Sequence, residues 1–139
     1  MIDVEALAVD LLRDEGCVLK AYQDSEGFLT IGVGRLIDAR AGGGITLEEA
    51  RYLLNNDITR TIIELDNKLP WWRDLPEPKA RALANMAFNL GWPRLSRFEK
   101  MLDALANGRW EDAAREALDS KWASQVGARA ERIAEILRS

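Results

Sequence analysis

Residues 14–38 read DEGCVLKAYQDSEGFLTIGVGRLID. Two acids of this stretch, Glu15 and Asp24, stand nine positions apart, and Thr30 follows six positions after the second. Alternating apolar positions flank the cluster Asp24-Ser25-Glu26-Gly27, the pattern of two strands joined by a hairpin turn. Gly32 and Gly34 mark a strand where another backbone or a ligand comes close. The stretch therefore decides the fold: a small antiparallel sheet inside a chain that otherwise reads as helical.

On its N-terminal side, Val4, Leu7, Ala8, Leu11 and Leu12 keep helical spacing over 3–14, with Asp3 as cap and Gly16 as stop. On the other side, DARAGGG at 38–44 reads as a loop. Thr46 followed by Glu49 is a capping box, and a helix of about 20 residues, about 30 Å long, follows from 47. Three prolines break NKLPWWRDLPEP. A strongly apolar helix runs from Lys79 to Leu90, stopped by Gly91, and reads as buried on most sides. Shorter helices are expected near 96–106, 109–118 and 128–137, separated by Gly108, a Ser-Lys-Trp stretch and Gly127. Segregated strands and helices define an α+β fold. The expected organisation is one domain over 1–139. It has a hairpin lobe at about 15–45, a linking helix at about 46–66, and a helical lobe at about 67–139 that also takes helix 3–14.

Composition narrows the chemistry. The chain has 139 residues, one cysteine and no histidine. No intramolecular disulfide, histidine-activated nucleophile or histidine metal site is available. No apolar run is long enough to span a bilayer, and acids at 3, 5 and 10 do not suit a signal peptide. Residues 1–66 hold 13 acids and 6 bases, a net −7, whereas residues 67–139 hold 10 acids and 13 bases, a net +3. A general nucleic-acid binder is thereby disfavoured. The basic half suits an anionic polymer, or is simply a solvated helix face.

A helix end beside a hairpin brings Glu15 and Asp24 to a common groove. Paired carboxylates across a groove are the apparatus of glycosidic cleavage. One, partly desolvated, stays protonated and donates to the leaving oxygen, while the other, in a wetter place, stays ionised. Thr30 offers a hydroxyl for the water. On spacing alone the plainer reading is that Asp24 and Glu26 are solvated turn residues and Glu15 pairs with a base, because two acids nine apart arise easily by chance among 23.

The stretch LLRDEGCVLKAYQDSEGFLTIGVGRL, 11–36, resembles the N-terminal signature of the phage-type lysozymes, glycoside hydrolase family 24, the T-even-phage class. The Glu-(eight)-Asp-(five)-Thr spacing of Glu15, Asp24 and Thr30 is that family's catalytic spacing. GITLEEARYLL is similar to the start of the family's inter-lobe helix, ALANMAFNLG to its central helix, and RWEDAAREALDSKW and ARAERIAEIL to its closing helices. The resemblance implies a two-lobed lysozyme fold and an endolysin that works without metal or cofactor. Such an enzyme hydrolyses the β-1,4 bond between N-acetylmuramic acid and N-acetylglucosamine in peptidoglycan, with inversion, for host cell lysis. It implies Glu15 as general acid, Asp24 as base and Thr30 as its positioning partner. Leu36, Phe88, Asn89 and Arg129 become substrate contacts, with Arg129 reaching toward the acid. It further implies a monomer made in the host cytoplasm. Such a protein reaches the wall in the periplasm through a holin pore, without membrane insertion or nucleic-acid partner.

The chain departs from the family at Arg35, where histidine is usual. A permanent charge there should pair with an acid of the second lobe or the linking helix. Met101 and Glu116 replace two other groove positions. Trp110 and Trp122 are expected in the core, and either Trp71 or Trp72 at the surface. Cys17, lacking any histidine base, is expected as a buried or half-buried small residue. A rival of a different class is a wall-binding module that does not cut, and a closer rival is a lytic transglycosylase, which needs an acid but no base.

Overall fold

The computed structural model describes residues 3–37 and 44–139, apart from the Leu7 side chain. The loop expected at 38–44 falls outside these residues except for Gly44. The chain forms two compact units, Met1–Tyr52 and Leu53–Ser139. Among the described residues the architecture is α+β, with one three-stranded antiparallel sheet and otherwise helices.

In the first unit, α1 runs Val4–Glu15. The Asp3 carboxylate accepts from the Ala6 amide, and Gly16, at φ 74°, closes the C-terminal end. Strands β1 (Val18–Gln23), β2 (Leu29–Gly32) and β3 (Arg35–Leu36) follow in sheet order β1-β2-β3. Thr30 pairs with Tyr22 on one side and Leu36 on the other, so it occupies the middle of the sheet. Between Val18 and Tyr22, β1 bulges. The two-residue third strand has too little alternation to announce itself, so only the glycines that bracket its turn were legible. The apolar positions Val4, Leu11 and Leu12 of α1 are exposed, as is Cys17, which corrects its expected burial. Cys17 lies in the short link between α1 and β1, where nothing in its own unit covers it.

Helix α2, Leu47–Lys68, begins with the predicted capping box. The Thr46 amide donates to Glu49 Oε1 at 2.9 Å and the Glu49 amide to Thr46 Oγ1 at 3.1 Å. The Thr46 donors, backbone first, hold the Glu49 carboxyl below its usual range, with Arg35 adding to this. Arg35 Nη2 sits 3.2 Å from Glu49 Oε1, and Arg35 Nε donates to the Gly44 carbonyl at 2.6 Å. The expected pairing of Arg35 with the linking helix is therefore present.

The second unit holds every buried apolar side chain found among the described residues, from Leu65 to Leu137. After a 3-10 turn at Trp72–Asp74 come α3 (Glu77–Leu90), α4 (Trp92–Leu95), α5 (Glu99–Ala106), α6 (Trp110–Leu118), α7 (Lys121–Val126) and α8 (Ala128–Arg138). Helix α3 buries a stripe, Ala82, Leu83, Met86, Ala87 and Leu90, and leaves Arg81, Asn85, Phe88 and Asn89 exposed. It is thus one-faced rather than buried on most sides, because its amides and guanidinium keep one side in water. The Ser-Lys-Trp stretch is not a separator but the start of α7. There Ser120 Oγ accepts from the Ala123 amide, and Trp122 is buried. Trp110 is only half-buried, packed on the core edge, while Trp72 is buried and Trp71 half-buried. Lys79 is a buried cation. Its ammonium donates to the Ile136 and Leu137 carbonyls at 3.1 Å each and lies 5.0 Å from the Trp110 ring centre. It thereby satisfies carbonyls that the last turn of α8 leaves open.

Asp66 fastens the 3-10 turn to α2. Its Oδ1 accepts from Trp72 Nε1 and Arg73 Nε, each at 2.7 Å, and its Oδ2 from Arg73 Nη2 at 3.0 Å. Arg73 first, then Trp72, hold its carboxyl below the usual range. A depressed folded pKa means stability that is present above the unfolded value, about 3.9, and lost as pH falls through the folded one. Asp66→Ala should therefore melt at a lower temperature than wild type at pH 7, with the gap narrowing as pH falls below about 4. Melting curves that differ equally at pH 7 and pH 2 would show that the carboxylate charge is not what holds the turn.

Candidate active site

Glu15 is the last residue of α1, and its side chain lies over the turn between β2 and β3. A methyl group placed at Gly34 would stand 2.5 Å from Glu15 Oε2 and 2.9 Å from its Cδ. Gly34 also has φ 65°, so the backbone favours glycine there, and a side chain at 34 would push the Glu15 carboxyl aside. The close approach expected at the Gly-x-Gly is real at Gly34 and absent at Gly32, whose added methyl would meet nothing. Glu15 is otherwise exposed, and Asp24 is half-buried. Among the described residues of the first unit nothing covers the end of α1.

Asp24 closes the hairpin. Its Oδ1 accepts from the Glu26 and Phe28 amides at 2.9 Å each, while its own amide donates to the Phe28 carbonyl at 2.8 Å. Gly27 completes the turn by donating to the Asp24 carbonyl at 3.0 Å. These bonds leave Oδ2 without a donor among the described residues. Thr30 is 2% exposed, and its hydroxyl donates to the same Phe28 carbonyl at 3.0 Å. The Phe28 backbone therefore ties Asp24 and Thr30 together, a role that no side-chain pattern could announce. Leu36, half-buried, sits beside Thr30 across the β2–β3 ladder.

The remaining expected residues lie in the second unit. Phe88 is 44% exposed and lines a groove of about 670 Å³ with Arg129. Arg129 Nε and Nη2 both donate to Asn85 Oδ1, at 3.0 and 2.8 Å. Asn89 faces elsewhere, its Oδ1 accepting from Trp122 Nε1 at 2.7 Å. Asn85 was not singled out in the sequence, where an amide on the exposed side of a helix carries no signal. No cluster of three potential metal ligands occurs among the described residues, and none of their helices is long and apolar enough to cross a membrane.

Comparison with known proteins gives this arrangement a lineage. The chain is 34% identical to the pre-baseplate central spike protein Gp5 of Enterobacteria phage T4, across 95% of the chain but only 27% of that protein. It is 27% and 26% identical to two probable T4-type lysozymes of Dictyostelium discoideum, each match covering 94% of the chain and 92% of the relative. The family profile described as phage lysozyme matches residues 13–135. That span includes the end of α1, the whole sheet and nearly all of the helical unit, so the chain belongs to the phage lysozyme family, a family of glycoside hydrolases.

Proposed function

We propose that the chain hydrolyses the β-1,4 bond between N-acetylmuramic acid and N-acetylglucosamine in bacterial peptidoglycan, with inversion. Glu15 is the general acid, Asp24 the general base, and Thr30 positions the water. The observation that carries this reading is the shared Phe28 backbone. Because Asp24 Oδ1 is occupied by two amides, Oδ2 is the oxygen offered to a proton. Because the Thr30 hydroxyl gives its proton to Phe28, it meets a water as an acceptor. A water bound by both has its two protons accounted for and a lone pair left for the anomeric carbon. As the new carbon–oxygen bond forms, one water proton passes to Asp24. The old glycosidic bond breaks, and Glu15 protonates the departing oxygen. No metal or cofactor enters these steps. Leu36, Phe88 and Arg129 are the substrate contacts, and Asn89, whose amide oxygen is taken by Trp122, is left out of them.

In the cell, this reading makes the chain a monomeric endolysin. It is made in the host cytoplasm and released through a holin pore to act on the wall. A second reading rests on the relative named as a baseplate spike, of which the chain matches about a quarter: the same hydrolysis carried by a particle. Recovery of the chain in purified particles would favour the spike, and recovery as soluble protein at lysis the endolysin. The activity itself is tested by incubating purified chain with peptidoglycan, with release of soluble reducing fragments as the expected result. Binding without release would leave a non-cutting wall module.

The seat of Glu15 gives a sharper test. Gly32→Ala and Gly34→Ala share the cost of a methyl at positive φ, about 1 kcal/mol. Only Gly34→Ala also displaces the acid. Both variants should lose similar stability to denaturant, while Gly34→Ala should be at least about tenfold less active than Gly32→Ala. Equal activities would show that Glu15 does not depend on this seat.

A further inference from the structure

The seat of Glu15 is the β2–β3 turn, Val33-Gly34, entered from Gly32 at the end of β2. Gly32 and Gly34 both have positive φ, 69° and 65°, and glycine lets a turn shift at little cost. Strand β3 adds little hold, since only Arg35 and Leu36 pair with β2. The turn nevertheless has a brace. Arg35, the residue after Gly34, donates from Nε to the Gly44 carbonyl at 2.6 Å and from Nη2 to Glu49 Oε1 at 3.2 Å. The Gly44 amide in turn donates to the Leu36 carbonyl at 2.8 Å. Glu49 is itself held by the Thr46 amide at 2.9 Å, in the first turn of α2. A planar guanidinium that donates through two nitrogens fixes direction as well as distance. All of these contacts lie within the first unit.

We infer that Arg35 is a positioning residue that braces the seat of the general acid against the first turn of α2. The inference rests on the reading of Glu15 as that acid. Arg35 acts through Gly34 and not on the substrate. It keeps the turn, and so the Glu15 carboxyl above it, where the leaving oxygen must be met. Proton transfer is sensitive to such placement, because a shift of about 1 Å can cost on the order of 10²-fold in rate. An exposed ion pair contributes little to stability. Loss of the brace should therefore show in turnover and not in the melt.

Steady-state kinetics on soluble peptidoglycan strands, run well below the melting temperatures, test this. Arg35→Met keeps the length of the side chain and removes its donors. It should lower kcat about tenfold and leave KM within about twofold. Arg35→Lys keeps the charge but not the fork, so its kcat should fall between the two. In the Glu15→Gln protein the acid is already gone, so there Arg35→Met should change the residual turnover by less than about twofold. A merely structural residue would instead lower the melt and cost the same turnover in both backgrounds. Amide exchange adds a reading that needs no activity. The Ile37 and Gly44 amides donate to the Leu29 and Leu36 carbonyls at 2.8 Å each. In Arg35→Met both should exchange at least about tenfold faster. Exchange at the wild-type rate, an unchanged kcat, or a tenfold loss that persists in the Glu15→Gln background overturns the inference. Wild-type protein that leaves the strands uncut sinks the hydrolysis reading, whereas cutting with equal kcat by wild type and Arg35→Met sinks only the brace.

Discussion

Glu15→Gln lowers turnover on peptidoglycan by at least about 10²-fold and leaves the melting temperature near that of wild type. The substitution keeps the length and shape of the side chain over Gly34 and removes only the transferable proton. The end of α1 does not depend on that proton, since its C-terminal closure runs through the Gly16 amide to the Leu12 carbonyl. Activity in cell-wall turbidity assays and thermal melts of both proteins check this. Near wild-type activity with a normal melt would remove Glu15 from the chemistry.

Asp24→Asn is the second large effect, and it needs a companion. Asp24 does two jobs in this account. Its Oδ1 holds the hairpin, and its Oδ2 takes the proton of the water. Asparagine preserves an oxygen that can accept from the Glu26 and Phe28 amides, so the turn survives while the base is lost. Activity should fall by about 10²-fold or more with little change in stability. Alanine removes both, which adds the cost of two unmet turn bonds, about 1 kcal/mol or more. Full activity in Asp24→Asn with an unstable Asp24→Ala would mean that the residue is only a turn anchor.

The local parts of this fold were legible because each carries its own signal. Asp3, Gly16 and the Thr46–Glu49 box declare helix ends through bonds made within three or four residues. The cluster 24–27 declares a turn through Asp24 and Gly27. What was illegible depends on elements distant in sequence. Helices α4 and α7, with four and six residues, are too short for periodicity to emerge. The burial of Lys79 follows from the last turn of α8, 58 residues away at Leu137. The seat of Glu15 on Gly34 and the hold of Asn85 on Arg129 are likewise tertiary. The family signature marked the three residues of the hairpin unit, but not the Phe28 backbone that joins two of them. It also did not mark the tie of Asn89 to Trp122.

The claim that Asp24 activates a water is tested most directly by the ends that the wild-type protein leaves on purified peptidoglycan. Mass spectrometry of the released muropeptides distinguishes a reducing muramic acid end from a 1,6-anhydro end, and early NMR spectra give the first anomer. The account predicts reducing ends, with the α-anomer appearing first. Anhydro ends would contradict it, because that product forms without an activated water and leaves Asp24 no step to perform.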